Sequence, residues 1–270
     1  MRAILLIDFG STFTKLTAVD LDTPRVLGGA QAFTTAGTDI SLGLAKALER
    51  LDQSTGPVEF DARLACSSAA GGLNMVASGL VPGLTSKAAR MAAFGAGAKV
   101  IKTYAYKLTE DDILEINRVQ PDILLLCGGI DGGNSEVILH NAARVAGAAG
   151  DFPVLVAGNR NAQEECAALL ADSGHPVYTA PNVMPEMNTL NIEPAAEVIR
   201  QIFLKRIILA KGLNRAERLL DGIMMPTPAA VLKAMRLLSR GQRRPPGWAT
   251  SSGWTWAVPR RISIPFRAGS

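Results

Sequence analysis

Aromatic residues are scarce in this chain, because Phe, Trp and Tyr together make up only 5% of its 270 residues. Proteins that read single-stranded nucleic acids depend on aromatic side chains that stack on bases, so this scarcity argues against that class. Hydrophobic residues make up 48% of the chain and charged residues 19%, which is typical of a globular protein. The length allows one large domain or two modest ones.

Acidic residues are missing from the segment after Leu238, and that segment carries six arginines. Subtracting those six charges from the net charge of +4 leaves −2 for residues 1–238. The basic character of the protein therefore belongs to its tail alone. We expect no nucleic-acid partner, because the main body of the chain is mildly acidic.

Paired cysteines and long apolar runs are also missing. Cys66, Cys127 and Cys166 stand singly among apolar neighbours without a C-x-x-C motif, so neither a disulfide framework nor a zinc site is predicted. The first apolar run stops at Asp8, too early for a signal peptide. No stretch approaches the ~20 apolar residues of a membrane span. We expect a cytoplasmic protein with free thiols and no membrane contact.

The first half of the chain shows the patterns of a small sheet with helices. Residues 3–9 and 15–20 are predicted strands joined by a Gly-Ser-Thr turn, and residues 25–35 add a third strand of an antiparallel meander. The next predicted elements are a helix at 41–51, a strand at 62–66, a helix at 85–97 capped by Thr85 or Ser86, a strand at 99–108 and a helix opening at 109–112.

The second half becomes regular. Strands at 122–127, 153–157 and 177–179 alternate with helices at 134–149 and 161–171, a βαβαβ pattern that predicts a parallel sheet. Three more helices are predicted, at 193–211, 215–223 and 227–239. We therefore predict an α/β fold with a mixed sheet and flanking helices over residues 1–190, followed by a helical section over residues 191–240.

The motif D-F-G-S-T-F-T-K (8–15) lies between the first two predicted strands. Glycine permits close approach of a ligand, and the amides of Gly10, Ser11 and Thr12 can form an anion-binding nest. Lys15 offers a point charge to a phosphate, and Asp8 offers a carboxylate to a hydrated magnesium ion. The alternative is a plain hairpin whose Asp and Thr side chains satisfy the turn amides. No Walker-type G-x-x-x-x-G-K-[ST] motif occurs in the sequence.

This motif resembles the first phosphate loop of the actin, Hsp70 and sugar-kinase superfamily. Further blocks, in order, are C-S-S-A-A-G-G-L (66–73), P-D-I-L-L-L-C-G-G-I-D-G-G-N (121–134), A-G-N (157–159), N-V-M-P (182–185), E-P-A-A-E-V-I-R (193–200), A-K-G-L (210–213) and M-P-T-P-A-A-V-L (225–232). Together they resemble the glutamate mutase accessory protein family, called GlmL or MutL and distinct from the mismatch-repair protein. The resemblance covers residues 1 to about 240.

The resemblance implies an ATPase-type fold of two actin-like lobes that binds ATP or ADP with Mg²⁺. It also implies a reactivating role, in which nucleotide-driven change helps an adenosylcobalamin-dependent mutase release damaged cobalamin, with mutase subunits as partners. Asp8 would be the catalytic and metal-binding residue. The other implied nucleotide-binding residues are Gly10, Ser11, Thr12, Thr14, Lys15, Gly128, Gly129, Asp131, Gly132, Gly133 and Asn134.

The glycine-rich group at 128–134 follows a predicted strand and precedes a predicted helix, where ligands usually bind in parallel sheets. It does not match the dinucleotide pattern G-x-G-x-x-G. The alternative is a structural turn capped by Asn134. Both interpretations stay open at the level of the sequence.

The sequence departs from the family beyond about residue 240. A second phosphate loop, typically D-x-G-G-x-T-T-D, is absent from the chain as written. Because Trp is encoded only by TGG and Thr codons begin with AC, the codons of Trp254 and Thr255 contain GAC, aspartate, when read one base earlier. With CGN arginine codons, residues 253–265 then permit V-D-V-G-G-A-T-T-D-I-H-S. We interpret residues 241–270 as a frameshifted, disordered tail.

Three functions are compatible with this sequence. The first is a truncated ATP-dependent accessory factor of the mutase-reactivating family, which would lack a complete ATPase site because its second phosphate loop is missing. The second is a small-molecule kinase of the same superfamily. The third is a non-enzymatic module that binds a mutase subunit through residues 190–240. Nucleotide binding would separate the first two from the third.

Overall fold

The computed structural model describes residues 1–35, 39–68, 73–94, 96–210 and 223–240. Two five-stranded sheets organise these residues. The first sheet is mixed and its strands are β1 (Ala3–Phe9), β2 (Phe13–Asp20), β3 (Arg25–Phe33), β4 (Ala62–Ser67) and β10 (Ile223–Pro226). The second sheet is parallel and its strands are β5 (Leu73–Gly79), β6 (Ala98–Ala105), β7 (Ile123–Leu126), β8 (Val154–Val156) and β9 (Val177–Thr179).

The first sheet has the strand order β10-β4-β1-β2-β3. β1, β2 and β3 form an antiparallel meander, whereas β4 lies parallel to β1 and β10 lies parallel to β4. In β1, Ala3, Leu5, Ile7 and Phe9 face the core, while Leu6 and Asp8 point to the opposite face. This period of two is what a strand with one buried face requires.

The second sheet has the order β6-β5-β7-β8-β9. The chain passes from β5 to β6 on one side and then returns to β7 on the other side of β5. A parallel sheet that reverses its order in this way has a switch point, here between β5 and β7, and ligands bind at the carboxyl ends of such strands.

Seven α-helices surround the two sheets within the described residues. They are α1 (Ile40–Thr55), α2 (Pro82–Ala93), α3 (Glu110–Val119), α4 (Glu136–Ala146), α5 (Gln163–Asp172), α6 (Glu193–Ala210) and α7 (Thr227–Arg240). One core cluster combines residues of both sheets with apolar residues of α1, α2 and α6. A second cluster joins the other face of the second sheet to α3, α4 and α5. The first cluster therefore ties the two sheets together.

The predicted α/β class and mixed sheet are confirmed, and the predicted βαβαβ segment lies in the separate second sheet. Two strands were missed: β5 in the second sheet, and β10, which lies inside the predicted helical section. The prediction of a helix starting at a Thr85 or Ser86 cap is wrong. α2 starts at Pro82, whose fixed φ suits a first helical position, and Val81 is its N-cap without a side-chain hydrogen bond.

Two predictions lie outside the described residues. They are the main part of the helix at 215–223 and the tail at 241–270. Among the helices that are described, none is both long enough and apolar enough to cross a membrane.

Candidate functional site

The register of the first sheet gathers Asp8, Lys15 and Cys66 in one row. Asp8 of β1 is the direct partner of Lys15 on antiparallel β2 and of Cys66 on parallel β4. Met225 of β10 pairs in turn with Cys66. Side chains of paired residues point to the same face of a sheet, so these four residues share the face opposite the α1 core.

Helix α7 completes this group with Thr227, its first residue. The Thr227 hydroxyl donates a hydrogen bond to Asp8 Oδ1 at 2.7 Å. The Cys66 thiol donates to the same oxygen at 3.6 Å. Burial raises the pKa of the Cys66 thiol, which favours the protonated form that can donate. One oxygen of the Asp8 carboxylate is thereby held by two neighbours.

A pocket of ≈ 450 Å³ opens over this row. Its lining includes Asp8, Lys15, Thr17, Cys66 and Met225. Within the described residues, Asp8 Oδ2 accepts no hydrogen bond and the exposed Lys15 ammonium forms no ion pair. The pocket thus presents a hard oxygen donor beside an unpaired cation, a combination that suits a magnesium ion and an anionic ligand.

The described residues of this pocket can offer Mg²⁺ one carboxylate, that of Asp8. Proteins usually bind Mg²⁺ through one or two carboxylates, with waters and ligand phosphates in the other positions. The described residues contain no cluster of three or more His, Cys, Asp or Glu side chains that could hold a metal by themselves. Asp8 would therefore supply a single protein ligand, and the bound anion would have to supply others.

The turn at residues 10–12 is tight. The Gly10 amide donates within the hairpin, to Asp8 O and to Phe13 O, both at 3.1 Å. A Cβ on Gly10 would lie 2.7 Å from the Phe13 carbonyl oxygen, which explains the glycine. Ser11 and Thr12 are exposed, and their amides donate to none of the described residues. Two of the three amides predicted to form the nest are thus free for an anion.

Thr14 is placed differently from the other phosphate-loop candidates. Its side chain is fully buried, and its hydroxyl pairs with that of Thr34 at 3.0 Å. Thr14 lies on the core side of β2, next in sequence to Lys15 on the open side. In this structure Thr14 joins β2 to the end of β3, and it does not line the pocket over Asp8.

The glycine-rich residues 128–134 form the turn between β7 and α4 in the second sheet. Gly128 and Gly129 have φ values of 125° and 72°, which side chains other than glycine rarely adopt. The buried Asn159 amide donates to the carbonyls of Gly133 and Asn134 at 3.0 and 3.3 Å. Its Oδ1 accepts from the Gly132 amide at 3.2 Å. Asn159 therefore holds the turn from β8's side.

Asp131 and Asn134 form hydrogen bonds with residues outside this turn. Asn182 donates to Asp131 Oδ1 at 2.8 Å and to the Gly129 carbonyl at 2.9 Å. The Arg160 amide donates to the same Asp131 oxygen at 3.0 Å. Asn134 Oδ1 accepts from the Val137 amide at 3.1 Å, which is a helix-capping contact. These contacts fit the alternative of a structural turn capped by Asn134.

A small apolar pocket of ≈ 160 Å³ lies beside this turn, between the carboxyl ends of β5 and β7. Gly128, Gly129 and Asn134 contribute to its lining together with Leu84 and Met187. It shares no lining residue with the pocket over Asp8. The predicted site residues therefore lie in two separate places, one in each sheet. Of those in the first sheet, only Asp8 and Lys15 line the pocket over Asp8, whereas Gly10, Ser11, Thr12 and Thr14 do not.

Sequence reasoning assigned no site role to Thr227, Cys66, Asn159 or Asn182. Each falls in a block that carried the family resemblance, respectively M-P-T-P, C-S-S, A-G-N and N-V-M-P. The resemblance was a signal that these positions carry specific contacts, but only the structure shows which contacts. Thr227 is the clearest case, because it contacts a residue 219 positions away.

Comparison with known proteins supports the family resemblance. A family model described as MutL protein matches residues 4–248 of this chain. The chain belongs to this MutL protein family. A relative from Clostridium tetanomorphum, described as Protein MutL, is 51% identical over 249 residues, which are 92% of this chain and 54% of the relative. The chain thus spans about half the length of that relative.

Two solved structures show weak similarity. One is the activator of the 2-hydroxyisocaproyl-CoA dehydratase from Clostridium difficile with bound ADPNP, with 8% identity, 82% and 99% coverage of this chain and that one, and a TM-score of 0.22. The other is the ethanolamine utilization protein EutJ from Carboxydothermus hydrogenoformans, with 13% identity, 75% and 88% coverage, and a TM-score of 0.17. At such TM-scores neither structure supports an argument about this MutL-family chain.

Proposed function

We propose that this chain is the nucleotide-binding half of a MutL-type accessory factor that serves adenosylcobalamin-dependent mutases such as glutamate mutase. The observation that carries the proposal is the Asp8 row. Counting only contacts among the described residues, a carboxylate with one fixed oxygen and one open oxygen lies beside an unpaired lysine and a turn with two free amides. Membership in the MutL family supplies the biological setting.

The chemistry of the β1–β2 hairpin favours a nucleotide phosphate over other ligands, although the turn residues 10–12 do not themselves line the pocket over Asp8. Lys15 offers a positive charge, and the Ser11 and Thr12 amides offer hydrogen-bond donors at the end of the same hairpin. Asp8 would repel a bare phosphate group, so a cation between the two is needed. Mg²⁺ bound there would neutralise phosphate charge and polarise the phosphoryl oxygens. The order of donors along the hairpin therefore matches a magnesium-bound polyphosphate.

The chain alone is not expected to hydrolyse ATP. Phosphoryl transfer depends on groups that hold the attacking water, the metal and the terminal phosphate in line. The Asp8 side supplies a metal ligand, a cation and amides, but the chain contains no second phosphate loop to enclose the phosphate from the other side. Binding without hydrolysis is the activity that follows.

Isothermal titration of the full chain with ATP, in magnesium and then in EDTA, tests the proposal. We expect EDTA to weaken binding to the unchanged protein, and Asp8→Asn to weaken binding in magnesium about tenfold through loss of the charged ligand. Asp8→Asn should also abolish the difference between magnesium and EDTA. The matched control is Asp172→Asn, an equal charge change at the exposed end of α5.

Two results would contradict this proposal. One is ATP affinity that is identical in the unchanged protein and Asp8→Asn. The other is a complete lack of ATP binding by correctly folded chain, which would favour the non-enzymatic module that binds a mutase subunit.

A further inference from the structure

A second polar pocket, of ≈ 380 Å³, lies where α2, α6 and α7 meet. Its volume falls within the ~300–1,000 Å³ of typical small-molecule sites. It shares no lining residue with the pocket over Asp8 or with the pocket beside residues 128–134. The proposed nucleotide site therefore does not account for it.

Four cations line this pocket: Arg90 of α2, Arg200 of α6, and Lys233 and Arg236 of α7. The lining contains a single acid, Glu193. Within the described part of the chain, Arg90, Lys233 and Arg236 form no ion pair. Three helices from distant parts of the sequence thus direct positive charge into one concave space, in a body whose residues 1–238 carry a net charge of −2.

Arg200 is the central donor. Its Nη2 pairs with Glu197 at 2.8 Å, and its side chain is 24% exposed. Its Nε is buried and has no hydrogen-bond partner among the described residues. The Nε is therefore closed to a ligand, and the part of the guanidinium that remains exposed is what Arg200 contributes to the pocket lining. Arginine is the residue best suited to donate several hydrogen bonds to phosphate oxygens.

The rest of the pocket is apolar. Met91, Phe94, Ile192 and Leu232 contribute to its lining, and Phe94 is 69% exposed. An exposed phenyl ring beside a cluster of cations would suit a ligand with an aromatic or aliphatic body. A purely inorganic anion would leave that surface in contact with water.

We infer that this pocket binds a small phosphate monoester that has an apolar body. A phosphate group presents three acceptor oxygens and nearly two negative charges at neutral pH, which matches four cations better than a single carboxylate does. The phosphate would accept hydrogen bonds from the exposed part of the Arg200 guanidinium and from the cations of α2 and α7. The apolar body would pack against Met91 and Phe94.

Phenyl phosphate is the probe for this site, with benzyl alcohol and inorganic phosphate as partial mimics. Titration calorimetry on the full chain, without nucleotide, should show phenyl phosphate binding more tightly than either mimic. Arg200→Gln should weaken phenyl phosphate about tenfold or more, because a charge-assisted hydrogen bond is lost. Lys233→Gln is a second variant at an exposed position of α7, and it should also weaken the probe.

Lys205→Gln is the matched control. It removes a positive charge from the same helix α6, but Lys205 lies over the Tyr178 ring and does not line the pocket. The Lys205→Gln variant should bind phenyl phosphate as tightly as the unchanged protein does. Equal weakening by all three substitutions, or no binding of phenyl phosphate to the folded chain at millimolar concentrations, would overturn the inference. Because no nucleotide is present, the outcome of the phenyl phosphate titration does not depend on the function proposed for Asp8.

Discussion

Asp8 and Thr227 are 219 positions apart in the chain, yet the Thr227 hydroxyl donates to Asp8 Oδ1 at 2.7 Å. This contact fixes one carboxylate oxygen, and the other accepts no hydrogen bond from the described residues. A ligand residue whose orientation is held by a neighbour loses less conformational freedom when it binds a metal. At the scale of single residues, Thr227 is therefore a positioning residue for Asp8.

Substitution of Thr227 tests this role. Thr227→Val keeps the shape of the side chain but removes the donor, and we expect magnesium-dependent ATP affinity to fall about tenfold, the effect of one hydrogen bond to a charged group. Thr227→Ser keeps the hydroxyl and should bind nearly as well as the unchanged protein. Calorimetric titration in magnesium and in EDTA measures both. Equal affinities of the Val and Ser variants would show that the hydroxyl has no positioning role.

Gly10 offers a test of the hairpin itself. A Cβ at this position would lie 2.7 Å from the Phe13 carbonyl oxygen, a backbone atom that cannot move away alone. We expect Gly10→Ala to lower the free energy of unfolding by about 1–3 kcal/mol, as overpacking does. Gly83→Ala is the control, because a Cβ there meets no atom within 4 Å. In urea denaturation, the free energy of unfolding of Gly83→Ala should be unchanged or higher. Equal losses of stability for both variants would show that the contact with the Phe13 carbonyl does not require glycine at position 10.

At the scale of secondary structure, elements with a strong hydrophobic pattern were predictable and the others were not. β7 is a continuous buried run, Ile123–Leu126, and α3 starts at the predicted acidic turn, where Thr109 and Asp112 form a capping box. β5 was missed because its second half is Ala77, Ser78 and Gly79, small residues with little preference for strands. Their size has a packing reason: a Cβ on Gly79 would lie 2.5 Å from Thr85 Oγ1.

β10 was missed for a different reason. It is only four residues long and ends in Pro226, which ordinarily argues against a strand. The structure places it at the edge of the first sheet, where a proline is tolerated because one side of the strand has no partner. This short strand is what brings Thr227 to Asp8, so the local sequence could not reveal the complete site.

Some site residues could be predicted from the local sequence, and others could not. The D-F-G-S-T-F-T-K motif indicated Asp8 and Lys15, because a hairpin places the ends of its two strands opposite each other. It could not show that Thr14 is buried, because burial depends on which face of the sheet α1 covers. For residues 128–134, the contacts of Asn159 and Asn182 account for a structural turn, and a nucleotide role there stays a prediction.

Substitution of Asn141 tests the buried hydrogen bonds that join α4 to the second sheet. It lies on α4 with no exposed surface, donates to Ser78 Oγ at 3.1 Å and to Tyr106 O at 2.9 Å, and accepts from Leu108 N at 2.8 Å. Asn141→Ala leaves these groups without partners, so we expect the free energy of unfolding to fall by about 2–4 kcal/mol. Arg144→Ala on the same helix is the control, with a change within ~0.5 kcal/mol.

Chemical denaturation followed by circular dichroism measures this difference between the two variants. A loss for Asn141→Ala no larger than that for Arg144→Ala would mean that the buried amide does not join β5, α4 and the segment after β6.

At the scale of the whole molecule, the two sheets share one core cluster, so the Asp8 row rests on a body built from both. The chain spans 54% of a relative in its family and contains no second phosphate loop. Phosphoryl transfer also needs groups that position the attacking water. We therefore propose that the Asp8 row binds magnesium and ATP without turnover.

The proposed frameshift at the end of the chain can be tested directly. Sequencing of the gene across codons 235–270 should reveal a one-base disruption upstream of Trp254, and correction of the frame should encode the second loop. The corrected, longer protein should hydrolyse ATP, whereas the present chain should release phosphate no faster than ATP alone. An intact frame with codons that cannot encode V-D-V-G-G-A-T-T-D would refute the frameshift, and turnover by the present chain would refute the proposal of binding without turnover.

A crystal structure of the chain with Mg²⁺ and a non-hydrolysable ATP analogue would show whether Asp8 and its hairpin form the nucleotide phosphate site. We expect Mg²⁺ coordinated by Asp8, with phosphate oxygens near the Ser11 and Thr12 amides and near Lys15. Nucleotide bound instead at residues 128–134, or at the pocket formed by α2, α6 and α7, would contradict it.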